Sequence, residues 1–307
     1  MHPLKRTYQT KDDYWRIRPF LREVFLLNGR REISWHVARW DYWRWPGAES
    51  FGDGPLEGRV FTWEEPEGHI VAVLNPESRG HAFLQVRPEW RSPELEQEMV
   101  ETAEQVLAVN SEGGRALRVW VDSRDARLQD LLRGRGYTRA PGVEQQHRCD
   151  LTRPAPDIAP PDGFTVRSLG DAPELPARSW CSWKAFHPNA PDKDYGGWDW
   201  YFNIQRCPLY RRDLDLVTIA PNGDLASFTT VWYDDVTRSA YFEPVGTHPF
   251  YQRRGLGKAV IAEGLRRLVR LGATLAFVGG YSPDANGLYR AMFGPDYDCS
   301  EEWAKTF

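Results

Sequence analysis

The chain repeats one order of predicted helices and strands in its two halves, and this repeat limits the possible folds more than any other feature. Each half contains two helical stretches, then a three-stranded meander, a long helix, a buried strand and a second helix. Two short echoes lie about 160 residues apart: Trp40-Asp41-Tyr42 with Trp198-Asp199-Trp200, and Val86-Arg87-Pro88 with Thr247-His248-Pro249. We therefore expect a duplicated domain, with copies over 1–153 and 163–307 and a stiff proline-rich linker over 154–162.

Composition narrows the class of protein. Asp and Glu outnumber Lys and Arg by 43 to 39, so the formal net charge of −4 provides no global basic field and argues against a nucleic acid partner. No run of about 18 apolar residues occurs, and the first residues lack the apolar core of a signal peptide, so we expect a cytoplasmic protein without a membrane partner. The four cysteines are far apart, which predicts reduced thiols and no metal site: Cys149, Cys181, Cys207 and Cys299.

The most informative segment runs over 243–258, from a predicted strand through a short loop directly into a helix. Gly255 and Gly257 lack a Cβ atom, so the backbone can approach a ligand closely. The free N–H groups of the first helical turn and the helix dipole attract an anion, and Arg253 and Arg254 add positive charge. This pattern predicts a phosphate site, whereas the alternative is a glycine-rich turn that only caps a helix.

The run Gln252-Arg253-Arg254-Gly255-Leu256-Gly257 resembles the Gln/Arg-x-x-Gly-x-Gly/Ala motif of the GNAT superfamily of N-acetyltransferases. The resemblance implies that this loop, with Lys258, binds the pyrophosphate of acetyl-CoA. It also implies that Val245, Gly246 and Thr247 meet the pantetheine arm and the thioester. The implied fold is of the α/β (α+β) class: two tandem GNAT-like domains, each a mixed, mostly antiparallel twisted sheet flanked by helices.

A second stretch, Asn286-Gly287-Leu288-Tyr289, resembles the family signature Asn-x-x-Ala-x-x-Leu-Tyr, in which the tyrosine faces the sulfur of CoA. The resemblance implies that Tyr289 is the general acid and that Asn286 contacts the cofactor. The Asn-to-Tyr spacing is shorter here, and the Gly-Phe pair that usually follows is reversed as Phe293-Gly294. The alternative for Tyr289 is a core aromatic on an amphipathic helix.

Acetyl transfer also requires a base for the amine proton. Glu243 is the best candidate, because its even spacing from Val245 and Thr247 predicts that all three side chains project to one face, where the carboxylate could act through a water. An ordinary ion pair is the alternative for Glu243. The carboxylate of Phe307 is a second candidate base, since some members of the superfamily use the chain terminus, and we expect His248 to be an exposed loop histidine.

The first copy has lost these features. Aligning Thr247 with Val86 places Glu94 and Glu96 where the second copy has its two motif glycines, and like charges repel a pyrophosphate. The counterpart of the candidate acid is Leu132, which has no proton to donate. We therefore expect a degenerate domain that binds no cofactor.

Together these features predict an enzyme that transfers acetyl from acetyl-CoA to a primary amine of a small molecule, without a metal, as a monomer or homodimer. Two tryptophan clusters and nearby carboxylates suit a cationic amine, although large aromatics more often cement helices. Two other functions stay open: a tandem acetyltransferase resembling mycothiol synthase, and a sensor that binds acyl-CoA without turnover. The first tryptophan cluster is Trp35, Trp40, Trp43 and Trp45, the second is Trp180, Trp183, Trp198 and Trp200, and the nearby carboxylates are Asp192, Asp194, Asp199 and Asp213.

Overall fold

A computed structural model describes residues 2–50 and 54–307. The helices in chain order are α1 (Lys11–Leu27), α2 (Val37–Tyr42), α3 (Ala48–Ser50), α4 (Pro93–Val106), α5 (Ala126–Gly134), α6 (Leu175–Phe186), α7 (Tyr201–Gln205), α8 (Leu256–Arg270) and α9 (Pro283–Phe293). The strands are β1 (Leu4–Thr7), β2 (Phe61–Glu64), β3 (Ile70–Asn75), β4 (His81–Val86), β5 (Val109–Ser111), β6 (Gly114–Asp122), β7 (Thr138–Asp150), β8 (Thr165–Ser168), β9 (Asp215–Ile219), β10 (Leu225–Asp234), β11 (Ser239–Thr247), β12 (Leu275–Gly280) and β13 (Tyr297–Thr306). Within these two described ranges, no helix has the length and apolar character needed to cross a membrane.

The chain forms two compact units. The first comprises Met1–Gln145 together with Asp298–Phe307, and the second comprises Gln146–Tyr297. In the first unit the strand order is β1-β2-β3-β4-β6-β13-β7, and β5 pairs with β6. β4 and β6 are parallel, whereas the pairs β1–β2, β2–β3, β3–β4, β5–β6 and β6–β13 are antiparallel.

The second unit has the strand order β7-β12-β11-β10-β9-β8. Strands β8 to β11 pair in antiparallel fashion, and β11 pairs with β12 in parallel. Val231 and Phe242 belong to the core that packs against α8, whereas Phe228 alternates to the other face and lies under Arg178 of α6. Each unit is thus a mixed, mostly antiparallel sheet flanked by helices, which confirms the predicted fold class.

The division between the units differs from the expected linker at 154–162. The first unit ends within β7, and Ala155 and Ile158 pack against the core of the second unit. The last strand, β13, was expected in the second copy but pairs with the first unit. Its residues Ser300–Thr306 pair antiparallel with Ala116–Asp122 of β6. The physical reason is backbone hydrogen bonding, because a strand belongs to the sheet whose N–H and C=O groups it satisfies.

Candidate active site

A pocket of about 780 Å³ lies beside the end of β11. β11 and β12 pair only over Ser239–Tyr241 and Leu275–Phe277, so no pairing between them extends to the end of β11. The pocket is lined by α6, β11, the following loop, the first turn of α8 and α9. Its lining residues are Ala185, Phe186, Val245, Gly246, Thr247, Tyr251, Gln252, Arg253, Gly255, Leu256, Gly257, Lys258, Ser282, Pro283, Asp284, Ala285, Gly287, Leu288, Tyr289 and Ala291.

The first turn of α8 presents free backbone donors to this pocket. Gly255 is the N-cap residue in the left-handed region (φ 82°), and no side chain caps the helix. The N–H groups of the first turn have no acceptor within a helix. A Cβ on Gly257 would lie 3.3 Å from Leu288 Cδ2, so a larger residue here would require this leucine to shift by a few tenths of an ångström. The arrangement fits an anion held by backbone N–H groups.

Arg253 and Lys258 line the pocket, are exposed, and have no ion-pair partner among residues 2–50 and 54–307. Arg254 lies outside the lining: its guanidinium sits 5.5 Å from the ring centres of Phe250 and Tyr251, and Nη2 donates to the Phe250 carbonyl at 3.3 Å. The expectation that both arginines line the phosphate site therefore needs correction. Two cations of the motif region remain available to an anionic ligand.

Gln252 and Leu256 line the pocket but also support the loop. Gln252 Nε2 donates to the Thr247 carbonyl at 3.3 Å and so connects the loop to the end of β11. The Leu256 side chain is buried in a small apolar cluster, so only its backbone can serve a ligand.

A β-bulge determines which way Glu243 faces. Thr229 pairs with Val245, but Val231 pairs with Phe242, so Glu243 and Pro244 together oppose a single residue of β10. Val245 therefore shares the α8 face with Phe242, and Glu243 faces the other side of the sheet. This corrects the expectation, based on even spacing, that Glu243 projects with Val245 and Thr247. The backbone carbonyl of Glu243 accepts a hydrogen bond from Trp232 Nε1 at 2.5 Å.

The end of β11 offers two backbone donors toward the open side. His248 N–H donates to the Ala226 carbonyl of β10 at 2.9 Å. Because donors alternate along an antiparallel ladder, the N–H groups of Val245 and Thr247 point away from β10. Gly246 lies between them and must be a glycine, since a Cβ there would lie 2.3 Å from the Phe228 ring.

Tyr289 is 7% exposed and lines the pocket from α9. Its hydroxyl has no hydrogen-bond partner in the described part of the chain. Burial raises the pKa of Tyr289, and the negative charge of Glu243 raises it further, so the phenol stays protonated at physiological pH. The candidate acid and base are therefore electrostatically coupled, although they lie on different elements.

Asn286 is not part of the pocket lining. Its Oδ1 lies 3.2 Å from Nε2 of His147, a buried histidine of β7. The expected contact between Asn286 and the cofactor therefore has no geometric support, and the side chain serves a contact within the unit instead.

Two further candidates are also placed differently from expectation. The chain terminus is held in the first unit, where Phe307 N–H donates to the Arg115 carbonyl at 2.7 Å, so Phe307 is not part of the pocket that Tyr289 lines. His248 is half-buried rather than exposed, and its Nδ1 accepts from Phe250 N–H at 3.3 Å. Burial and nearby Lys184 lower the pKa of His248.

In the first copy, Glu96 fills the position that corresponds to Gly257. Its side chain is 1% exposed, and its Oε1 accepts from Arg91 Nε at 2.7 Å and from Arg127 Nη2 at 2.8 Å. Ser92 caps α4 by accepting from Leu95 N–H at 3.2 Å. The cavity beside Glu96 measures only about 30 Å³. The ion pairs of Glu96 and the Ser92 cap therefore fill the place that corresponds to the open pocket at the start of α8 in the second unit. The repulsive charge of Glu96 was predictable from the sequence, whereas its neutralisation by two arginines was not.

The tryptophan clusters serve mainly as packing. Trp35, Trp40 and Trp43 are buried in the core of the first unit. In the second unit the Trp180 and Trp183 rings stack at 5.4 Å, and Lys184 Nζ lies 5.7 and 5.4 Å from their centres. A lysine of the chain itself thus takes the place in which a substrate cation was expected. Of the carboxylates, Asp192 pairs with Lys184 and Asp213 pairs with Arg211.

Residues 177–294 match the model of the acetyltransferase (GNAT) family. The match lies within the second unit and spans most of it. No curated protein matches the chain at a significant level.

Three solved structures share the fold over nearly the whole chain. The GCN5-related N-acetyltransferase from Sphaerobacter thermophilus is 15% identical, with coverage of 99% of this chain and 95% of that one and a TM-score of 0.69. A tandem GNAT protein from the clavulanic acid biosynthesis pathway is 13% identical, with coverage of 99% and 98% and a TM-score of 0.66. A GNAT-family acetyltransferase from Colwellia psychrerythraea is 12% identical, with coverage of 99% and 100% and a TM-score of 0.61.

Proposed function

We propose that the second unit transfers an acetyl group from acetyl-CoA to a primary amine of a small molecule. One observation carries the proposal. A single pocket is lined both by the uncapped first turn of α8, which suits an anion, and by Tyr289, which has a proton to donate. A binding module for phosphate alone would need only the first of these features.

The chain's own residues fit the two ends of this co-substrate. The N–H groups at the start of α8 would hold the pyrophosphate, with Arg253 and Lys258 beside it. When bound, acetyl-CoA supplies the acyl group as an activated thioester. The N–H groups of Val245 and Thr247 would donate to the thioester oxygen as negative charge develops there.

Glu243 would accept the proton of the attacking amine. The bulge directs Glu243 to the face opposite α8, so an amine that approaches from that face meets the carboxylate directly or through one water. Tyr289 would donate a proton to the departing sulfur, and its raised pKa ensures that the proton is present. The balance is one proton lost by the amine and one gained by the thiolate, and solvent restores both side chains between turnovers.

A panel of small primary amines tests the proposal through the release of free CoA thiol and the mass of the acetylated product. We expect thiol release to depend on both the amine and acetyl-CoA. Tight acetyl-CoA binding with no turnover for any amine would favour a sensor instead.

The stoichiometry should be one acetyl-CoA per chain. At the start of α4, which corresponds to the start of α8, the first copy has only a small cavity and a capped helix end, because Glu96 and Ser92 occupy these places. Isothermal titration calorimetry measures the number of sites directly. Two equivalent sites would contradict the account of the first copy.

Glu243→Gln should lower turnover at neutral pH and partly restore it at high pH. The amide keeps the shape but has no basicity, and an alkyl amine loses its proton in solution only near its ordinary pKa of about 10.4. The rate profile from about pH 6 to about pH 10 is the measurement. Deletion of Thr306 and Phe307 is the matched control, since these residues lie in the first unit and should not change the shape of the profile. A wild-type profile in Glu243→Gln would remove the base assignment.

A further inference from the structure

His147 contacts both residues that mark the α9 signature. It is fully buried in the second unit, in the last part of β7. Its Nε2 lies 3.2 Å from Asn286 Oδ1, and its ring meets the Tyr289 ring at an angle of 61° with a centroid distance of 6.1 Å. One imidazole therefore contacts both the side chain of Asn286, in the first part of α9, and the side chain of Tyr289, which lines the pocket.

Gly280 in β12 lies against the same two residues. A Cβ on Gly280 would lie 2.1 Å from Asn286 Oδ1 and 3.1 Å from Tyr289 Cδ2. The strand therefore leaves space for these two side chains only because this position has no side chain of its own. Asn286 and Tyr289 are held by the backbone of β12 as well as by the imidazole of His147.

The orientation of Tyr289 depends on packing alone. Its hydroxyl has no hydrogen-bond partner within 2–50 and 54–307, so the ring is oriented by its neighbours, among them His147 and Phe293. A reacting group must be held within a fraction of an ångström to be effective. The contacts of His147 are therefore of the kind that determine where the phenol proton is presented.

His147 is suited to this role because it stays neutral. Burial lowers the pKa of His147, and the positive charge of Arg290 lowers it further, while the contacts with Asn286 and with the backbone of Gly294 oppose the shift. The other ring packed against it is Tyr297, at 5.5 Å between centroids. A neutral imidazole with its proton on Nε2 donates to Asn286 and adds no charge beside the phenol.

We propose that His147 is a positioning residue for Tyr289. It fixes α9 through Asn286 and supports the ring of Tyr289 through edge contact, and it takes no part in proton transfer itself. This proposal rests on the proposed role of Tyr289 as the general acid.

A double-mutant cycle tests it. His147→Leu removes the hydrogen bond to Asn286, and we expect kcat to fall roughly tenfold, because small misplacements of a reacting group are costly, while the Kd for acetyl-CoA changes by less than about twofold. In the Tyr289→Phe background the same substitution should change kcat by less than about twofold, since the group that it positions is gone. His147→Gln, which can still donate to Asn286, should retain most of the activity.

Two more variants separate a loss of positioning from a general loss of stability. Val217→Ala shortens a fully buried side chain of β9 outside the pocket, so it should lower the melting temperature and have the same effect on kcat in both backgrounds. Gly280→Ala would push against Asn286 and Tyr289 from β12, and should reproduce the non-additive loss even if His147→Leu does not fold.

An equal loss of kcat for His147→Leu in both backgrounds would overturn the proposal, and so would unchanged kcat in the single variant. Full turnover by Tyr289→Phe would first remove the acid assignment and, with it, this inference. Loss in Tyr289→Phe but not in His147→Leu would leave the acid assignment intact and overturn the inference alone.

Discussion

Gly255→Glu should abolish acetyl-CoA binding. Gly255 sits at φ 82° at the start of α8, and any residue with a Cβ pays roughly 1–2 kcal/mol for the left-handed conformation. The new carboxylate would also lie beside the expected pyrophosphate, where like-charge repulsion costs about 1 kcal/mol or more. Since 1.4 kcal/mol corresponds to a tenfold change, the repulsion alone raises the Kd about fivefold or more. A backbone that relieves the strain at Gly255 also moves the N–H donors of the first turn away from the pocket, so we expect no measurable binding in calorimetry.

Gly223→Glu is the matched control for this substitution. Gly223 also has a positive φ, of 89°, and a Cβ there would meet no atom within 4 Å, but it lies in the β9–β10 turn outside the pocket. Both variants carry the same backbone strain and the same added charge. Binding should be lost in Gly255→Glu and kept in Gly223→Glu. Wild-type affinity in Gly255→Glu would show that the first turn of α8 is not the anion site.

Tyr289→Phe should lower turnover by roughly 10- to 1000-fold, within the usual range of general-acid effects. The ring and its packing against Phe293 and His147 remain, whereas the proton donor is lost. Acetyl-CoA binding should therefore change far less than kcat, and the Kd measured by calorimetry serves as the internal control. Unchanged turnover, under conditions in which the chemical step limits the rate, would exclude this tyrosine from the mechanism.

The local features of the site were predictable because they depend on residues close together in sequence. The loop from Gln252 to Gly257 forms the expected turn into a helix, and the positive φ of Gly255 is what a glycine in such a turn permits. The Asn222-Gly223 hairpin between β9 and β10 was predictable for the same reason.

The rest depends on contacts between distant segments. The bulge that redirects Glu243 is defined by register against β10, and Pro244 is the local signal for it that sequence reasoning missed, since a proline within a strand favours a bulge. Likewise, the sequence of β13 is compatible with pairing in either copy. Its hydrogen bonds to β6 show that it belongs to the sheet of the first unit. The contact between His147 and Asn286 joins residues 139 positions apart, so spacing within α9 could not reveal it.

A crystal structure of the protein with bound CoA tests the central claim most directly. We predict the pyrophosphate on the N–H groups at the start of α8 and the sulfur within hydrogen-bonding distance of the Tyr289 hydroxyl. We also predict no CoA beside Glu96 in the first unit. CoA bound at the first unit, or a sulfur remote from Tyr289, would contradict the account.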